Sequence, residues 1–167
     1  MVTVVADAQE ESAVQGKNAE PLEFPSLAWF ERLAALMNDN RARQEKLGYV
    51  DCVAGFSVTG TRALAVQVTF DEFEATDVRV TGETDSNRAD FTLEAELETW
   101  QAMIESIAAG NGRPALDQTL NRLSHMGTPL HLLSDDPLRR DMYFRFNQSL
   151  QEFFNASAAF TTSFPTS

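Results

Sequence analysis

Between Val50 and Phe70 apolar residues recur at every second position, and this alternation constrains the fold more than any other stretch of the chain. Val50, Cys52, Ala54, Phe56 and Val58 share one side of an extended segment, and Leu64, Val66, Val68 and Phe70 share one side of the next. Successive side chains of a strand point to opposite faces, so this period means a sheet with one face turned to a core. Thr59-Gly60-Thr61 separates the runs and supplies a tight turn, and the pair reads as a hairpin. A third run (Thr76, Val78, Val80) and a fourth (Phe91, Leu93, Ala95) flank a turn centred on Gly82 to Asn87. The four runs are expected to form an antiparallel meander.

On both sides of the meander the period becomes helical. Ser26 is a good N-cap, and Leu27, Phe30, Leu33, Ala34 and Met37 form a stripe on a helix that runs on to Gly48. Leu97, Trp100, Met103, Ile104 and Ile107 share a face until Gly110-Asn111-Gly112 ends that helix. Pro114 opens another, carrying Leu116, Leu120 and Leu123 as far as Gly127, and Leu130 to Leu133 is a short strand candidate. Asp135 or Asp136 then caps a long last helix from Pro137, with Leu138, Met142, Phe146, Leu150, Phe153 and Phe154 on its apolar side and Tyr143 and Phe144 beside them. The expected fold class is α+β: a mainly antiparallel five-stranded sheet covered on one face by helices. Residues 1–23 lack periodicity and are expected to form a disordered acidic tail, residues 24–160 a single domain, and residues 161–167 a short C-terminal tail.

Charge narrows the partners. A net charge of -12 argues against nucleic acid, because phosphate contact needs clustered Lys and Arg, and against electrostatic docking on anionic lipid. Ten acidic residues lie between Asp71 and Glu98 with only Arg79 and Arg88 to offset them, as on a solvated sheet face. No apolar run approaches the roughly 18 residues of a membrane span, so no stable membrane insertion is expected. Cys52 is the single cysteine, no basic-then-apolar leader opens the chain, and the cytoplasm is the expected compartment.

The chemistry is sparse. His125 and His131 are the only histidines, and Asp135 and Asp136 are their only carboxylate neighbours in sequence, so no metal site is expected. Cys52 falls on the inward side of its strand as a small apolar residue. Gly110-Asn111-Gly112-Arg113 follows a helix rather than a strand and lacks the Lys-Ser/Thr pair of a phosphate loop. No catalytic residue and no cofactor are expected, and the chain reads as a non-enzyme. Phenylalanine stands out instead, with 12 Phe against 2 Trp and 2 Tyr. Phe brings apolar area without a polar handle, which suits a dry core or a dry pocket.

Three segments carry a likeness: the opening helix; the strand ending in Gly55-Phe56-Ser57-Val58-Thr59-Gly60; and Ala89-Asp90-Phe91-Thr92-Leu93 running into Leu97-Glu98-Thr99-Trp100-Gln101-Ala102-Met103-Ile104. From Phe24 to Phe160 the chain resembles the sterol carrier protein 2 family of small lipid-binding domains. The resemblance implies a five-stranded sheet under helices, with a hydrophobic tunnel for a sterol, a fatty acid or a fatty acyl-CoA that is bound and transferred without chemical change. Two departures stand near the tunnel mouth: Ser134-Asp135-Asp136-Pro137 before the last helix, and the length of the segment from Pro114 to Met126. The pattern of apolar positions, rather than the resemblance, selects Val66, Val68, Phe70, Phe91, Leu93, Trp100, Met103, Phe146, Leu150 and Phe153 as ligand-lining residues. Arg139 and Arg140 are the candidate partners for the phosphates of an acyl-CoA. The competing expectation is an accessory or dimerisation module, such as a homodimer, that uses the aromatic C-terminal helix as its interface.

Residues 1–20 carry too little apolar surface to offset the entropy of ordering them. Removing them is expected to leave the denaturation midpoint unchanged, and a truncated protein that no longer folds overturns the assignment.

Overall fold

The structure is a computed structural model that describes residues 20–82, 89–126 and 128–166. Most of the expected N-terminal tail, most of the Gly82 to Asn87 turn, and Gly127 at the end of the expected third helix lie outside the described residues.

A short strand, β1 (Leu22–Glu23), precedes helix α1 (Leu27–Asn38), whose first turn is closed by the Ser26 hydroxyl accepting from the Trp29 amide at 3.1 Å. Trp29, Phe30, Leu33, Ala34 and Met37 form its buried stripe. The helix does not continue to Gly48. It stops at Asn38, whose side-chain amide both donates to the Ala75 carbonyl at 2.9 Å and accepts from the Ala75 amide at 2.8 Å. A separate helix α2 (Arg41–Leu47) follows, burying only Gln44.

Strands β2 (Val50–Thr59) and β3 (Leu64–Glu72) form the expected hairpin, turned at Gly60, whose φ of 109° is open to glycine at little cost. Strand β4 (Glu74–Val80) pairs antiparallel with β3 through a bulge between Thr69 and Phe70. Strand β5 (Phe91–Glu96) is where the expectation fails. It does not extend a meander beside β4 but crosses the sheet and pairs parallel with β2, Phe56 opposite Leu93. A short β6 (His131–Leu133) pairs antiparallel with β5 on the far side, giving a mixed sheet in the order β4-β3-β2-β5-β6. Period-two alternation has the same form in parallel and antiparallel strands, so the pattern left this pairing undetermined.

Helix α3 (Leu97–Ala109) starts directly from β5 and buries Trp100, Met103, Ile104 and Ile107, as its stripe predicts. The Pro114 to Met126 segment is less helical than expected, with a 3₁₀ turn at Leu116–Gln118 and a brief α4 (Leu120–Ser124). The expected long closing helix is two: α5 (Pro137–Arg145), capped by Asp136 accepting from Leu138 at 2.8 Å, and α6 (Asn147–Asn155). The break at Phe146 re-aims the chain, so that α5 buries Tyr143 whereas α6 buries Ser149, Leu150, Phe153 and Phe154. A 3₁₀ turn (Ala156–Ala159) leads to strand β7 (Thr162–Ser163). Strand β7 pairs parallel with β1, joining residues that the sequence leaves in two tails. Trp29 seals this clip by donating its indole N–H to the Thr162 hydroxyl at 2.9 Å.

Asp90 fixes the entry of β5. One carboxylate oxygen accepts from the Val53 amide at 2.7 Å, and the other accepts from Arg139 of α5 at 3.1 Å. The Asp90 amide donates to the Val53 carbonyl at 2.8 Å, and the Ser134 hydroxyl donates to the Asp90 carbonyl at 2.7 Å. Arg139 also donates to the Ala89 carbonyl. Two strands and the closing helix therefore meet on one residue.

Replacing Asp90 by Ala is expected to cost about 2–3 kcal/mol, most of it from the amide of Val53 losing its acceptor, since Arg139 is partly solvated. Asp90→Asn keeps an acceptor and is expected to retain most of the stability. Denaturant unfolding of both variants is the measurement, and an unchanged midpoint for Asp90→Ala overturns this role.

Candidate functional site

The helices cover the sheet face formed by Val50, Cys52, Ala54, Phe56 and Val58 of β2 with their partners Val66, Val68 and Phe70 of β3. All ten residues selected from the sequence are buried within one apolar cluster beneath those helices. Val66, Val68 and Phe70 come from β3, Phe91 and Leu93 from β5, and Trp100 and Met103 from α3. Phe146 sits at the break between the closing helices, and Leu150 and Phe153 lie on α6. None of the ten carries an ionisable group.

The sequence reading missed the residue at the centre of this cluster. Phe56 stacks on Phe30 with ring centres 5.7 Å apart and on Phe153 at 6.2 Å. It also meets Phe154 edge-on at 5.1 Å and Trp100 at 6.4 Å. Its place in the β2 alternation, between Ala54 and Val58, is the signal that would have included it. Phe153 meets Phe70 edge-on at 5.2 Å, and Trp100 stacks on Phe154 at 5.5 Å while its indole N–H reaches the Ser57 carbonyl at 3.1 Å. Aromatic pairs of this kind add about 0.5–1.5 kcal/mol beyond the area they bury. Tyr143 closes the other end, its ring edge-on to Phe91 at 5.7 Å and its hydroxyl 2.8 Å from that of Ser124.

Of the ten residues, Val66 and Phe91 also border a cavity of about 340 Å³. That cavity uses the opposite side of the sheet, with Gly55, Ser57, Gln67, Thr92 and Glu94 along its wall. Gly55 is required there, because a Cβ at this position would lie 2.6 Å from the Thr92 hydroxyl of the neighbouring strand. A second cavity, of about 440 Å³, is bounded by α4, β6 and α5 and contains both histidines.

Two buried titratable groups adjoin the cluster, and burial raises both. Burial is the main cause that pushes the Cys52 thiol up to about 12, with Asp90 and Asp51 adding to it, so at neutral pH it is protonated and a poor nucleophile. Burial likewise raises the Tyr143 hydroxyl, against the pull of its hydrogen bonds with Ser124 and Asn147. Among the described residues no group of three or more His, Cys, Asp and Glu is placed to hold a metal ion. Arg139, a candidate phosphate partner, is committed to Asp90 and the Ala89 carbonyl; Arg140 pairs with no carboxylate among the described residues and lies over the Phe144 ring at 5.8 Å. No helix among the described residues is long and apolar enough to cross a membrane.

No family model matches the chain, and no curated protein resembles it in sequence. Solved structures do share its arrangement. A crystal structure of sterol carrier protein 2 superposes with a TM-score of 0.57 over 78% of this chain and 94% of its own, at 17% identity. The fold is that of sterol carrier protein 2. The solution structure of a conserved hypothetical protein from Thermus thermophilus, described as possibly a sterol carrier protein, gives 0.58 over 86% of this chain and 94% of its own, at 18% identity. At such identity the shared property is the fold itself.

Because Phe153 is wedged between Phe56 and Phe70, Phe153→Ala is expected to cost about 3–5 kcal/mol, as for a packed core position. Chemical denaturation of the ligand-free protein measures it. A cost nearer 1–2 kcal/mol would mean that the ring borders a pre-existing void and would overturn the packed description.

Proposed function

We propose that the protein binds and carries a lipid with a long apolar chain, without altering it chemically, between the sheet and the helices, where the chain enters by parting rings that pack on one another in its absence. The observation that carries this reading is the wall itself: ten apolar side chains from β3, β5, α3 and the closing helices, gathered without an ionisable group in a sterol carrier fold. A hydrocarbon chain asks for apolar contact and no polar recognition, and burying it contributes about 0.8 kcal/mol per methylene. The closing segment is the natural cover. Helix α5 buries only Tyr143 and is tied to the sheet through Arg139 and Asp90, so the break at Phe146 lets α5 shift when that ion pair opens, while α6 keeps Leu150, Phe153 and Phe154 in place. Entry of a chain then exchanges ring-on-ring contacts for ring-on-methylene contacts, which leaves the apolar surface covered throughout. The single buried thiol, Cys52, suits a reducing compartment such as the cytoplasm.

The competing role as a dimerisation module is less favoured, because the closing helices turn most of their aromatic surface inward. Leu138 and Phe144 remain exposed on α5, a small area beside the roughly 800 Å² per partner of a stable interface.

Native mass spectrometry before and after solvent extraction tests the proposal. The expected result is a monomer carrying an extractable mass of lipid size, and an extracted protein that binds a fluorescent fatty acid saturably at one site. No bound mass together with no saturable probe binding overturns it.

A further inference from the structure

The cavity bounded by α4, β6 and α5 has a composition unlike the rest of this acidic protein. Its lining contains His125 and His131, the only histidines of the chain, together with Arg140, and among the described residues it contains no Asp or Glu. All three basic side chains are exposed. In a chain of 25 acidic residues against 13 Lys and Arg, this lining holds the charged Arg140 and two imidazoles with no described carboxylate among them, and Glu94 of β5 stands opposite His131 beside it. Apolar groups share the same lining. Phe144, Leu133 and Met126 border the cavity and are 54%, 44% and 80% exposed, an uncovered apolar patch next to the basic groups. The cavity is also close to the interior, since Ser124 lines it and its hydroxyl meets that of Tyr143, whose ring lies against Phe91.

We propose that this cavity is an anion-binding site for the head of an amphiphile, with His125, His131 and Arg140 holding a carboxylate and Phe144, Leu133 and Met126 covering the first part of its chain. The proposal rests on the lipid-carrier reading and sharpens it, because the cargo is then a long-chain fatty acid rather than a neutral sterol. Charge complementarity selects the occupant. A neutral headgroup offers the exposed Arg140 guanidinium no more than water does, whereas a carboxylate accepts from it in the forked geometry that guanidinium groups favour. A free small anion would leave the apolar half of the lining wet, so the anion and the chain belong to one molecule.

The test compares pyrene-dodecanoic acid with its methyl ester, each titrated into the delipidated full chain by fluorescence. The wild type is expected to bind the acid about tenfold more tightly than the ester, the scale of one charge-assisted hydrogen bond. In Arg140→Gln, and separately in the double variant His125→Asn with His131→Asn, that preference is expected to fall to about twofold or less. These positions are exposed, and an unchanged denaturation midpoint verifies that the variants fold. Equal affinity of the wild type for acid and ester overturns the headgroup site and leaves the lipid-carrier reading standing. A preference that survives in the variants overturns the assignment to these residues. Binding of neither probe overturns both.

Discussion

The parallel pairing of β5 with β2 is the constraint on which the architecture depends. Antiparallel neighbours joined by tight turns could be assembled locally, but this pairing requires the chain to cross two strands and land in register. Asp90 secures the landing by binding the backbone of β2 through both its amide and its carboxylate. The same carboxylate holds Arg139, so the position of α5 is referenced to the centre of the sheet rather than to its edge. Everything that roofs the apolar face after β5, from α3 to α6, inherits its placement from this one crossing.

Under that roof the polar groups are few, and several tie one element to another. The indole N–H groups of Trp29 and Trp100 end on Thr162 and on the Ser57 carbonyl, at the margins of the cluster. Gln151 extends its side chain to the first amide of α4 at 2.7 Å, which ties the short helix to α6. The interior between these ties is ring against ring. Acidic charge is kept outside: Asp71, Glu72 and Glu74 at the β3–β4 turn are exposed, and Asp77 is matched by Arg79 on the same strand. An ion-free interior inside a strongly anionic exterior suits the proposed binding of an apolar chain.

Local periodicity carried much of this into the sequence. The α1 stripe, the β2–β3 hairpin and the α3 face are all visible because each element buries one side, and each side repeats with its own period. The parallel register of β5 was not visible, because it is decided by partners that are distant in sequence. The break at Phe146 was hidden for another reason: no Gly or Pro marks it, and apolar residues continue across it. Strands β1 and β7 are two residues each, too short for any period to register. At the site, the ten selected residues come together, yet Phe56 escaped selection although it stands at the centre. Apolar spacing identifies what is buried but is silent on whether the burial partner is another side chain or a guest. The histidine-bearing cavity was legible only as two isolated residues, since the spacing of α4, β6 and α5 along the chain does not reveal the concavity they form between them.

The β1–β7 clip joins Leu22 to Thr162 and Glu23 to Ser163, nearly the whole domain apart along the chain. A ribosome delivers β1 among the first elements of the fold and β7 last, so the clip is a closing step that no nascent fragment performs. Until then, Phe24 and Trp29 lack their covering partners at that end, and the Trp29 indole has no Thr162 to meet. The clip also sets the response to force. Two parallel strands pulled from residues at their opposite ends resist in shear, with their backbone bonds loaded together. The chain enters the clip before position 22 and leaves it after position 163 from opposite ends of the same two-residue pair, so both connections meet the domain at one corner.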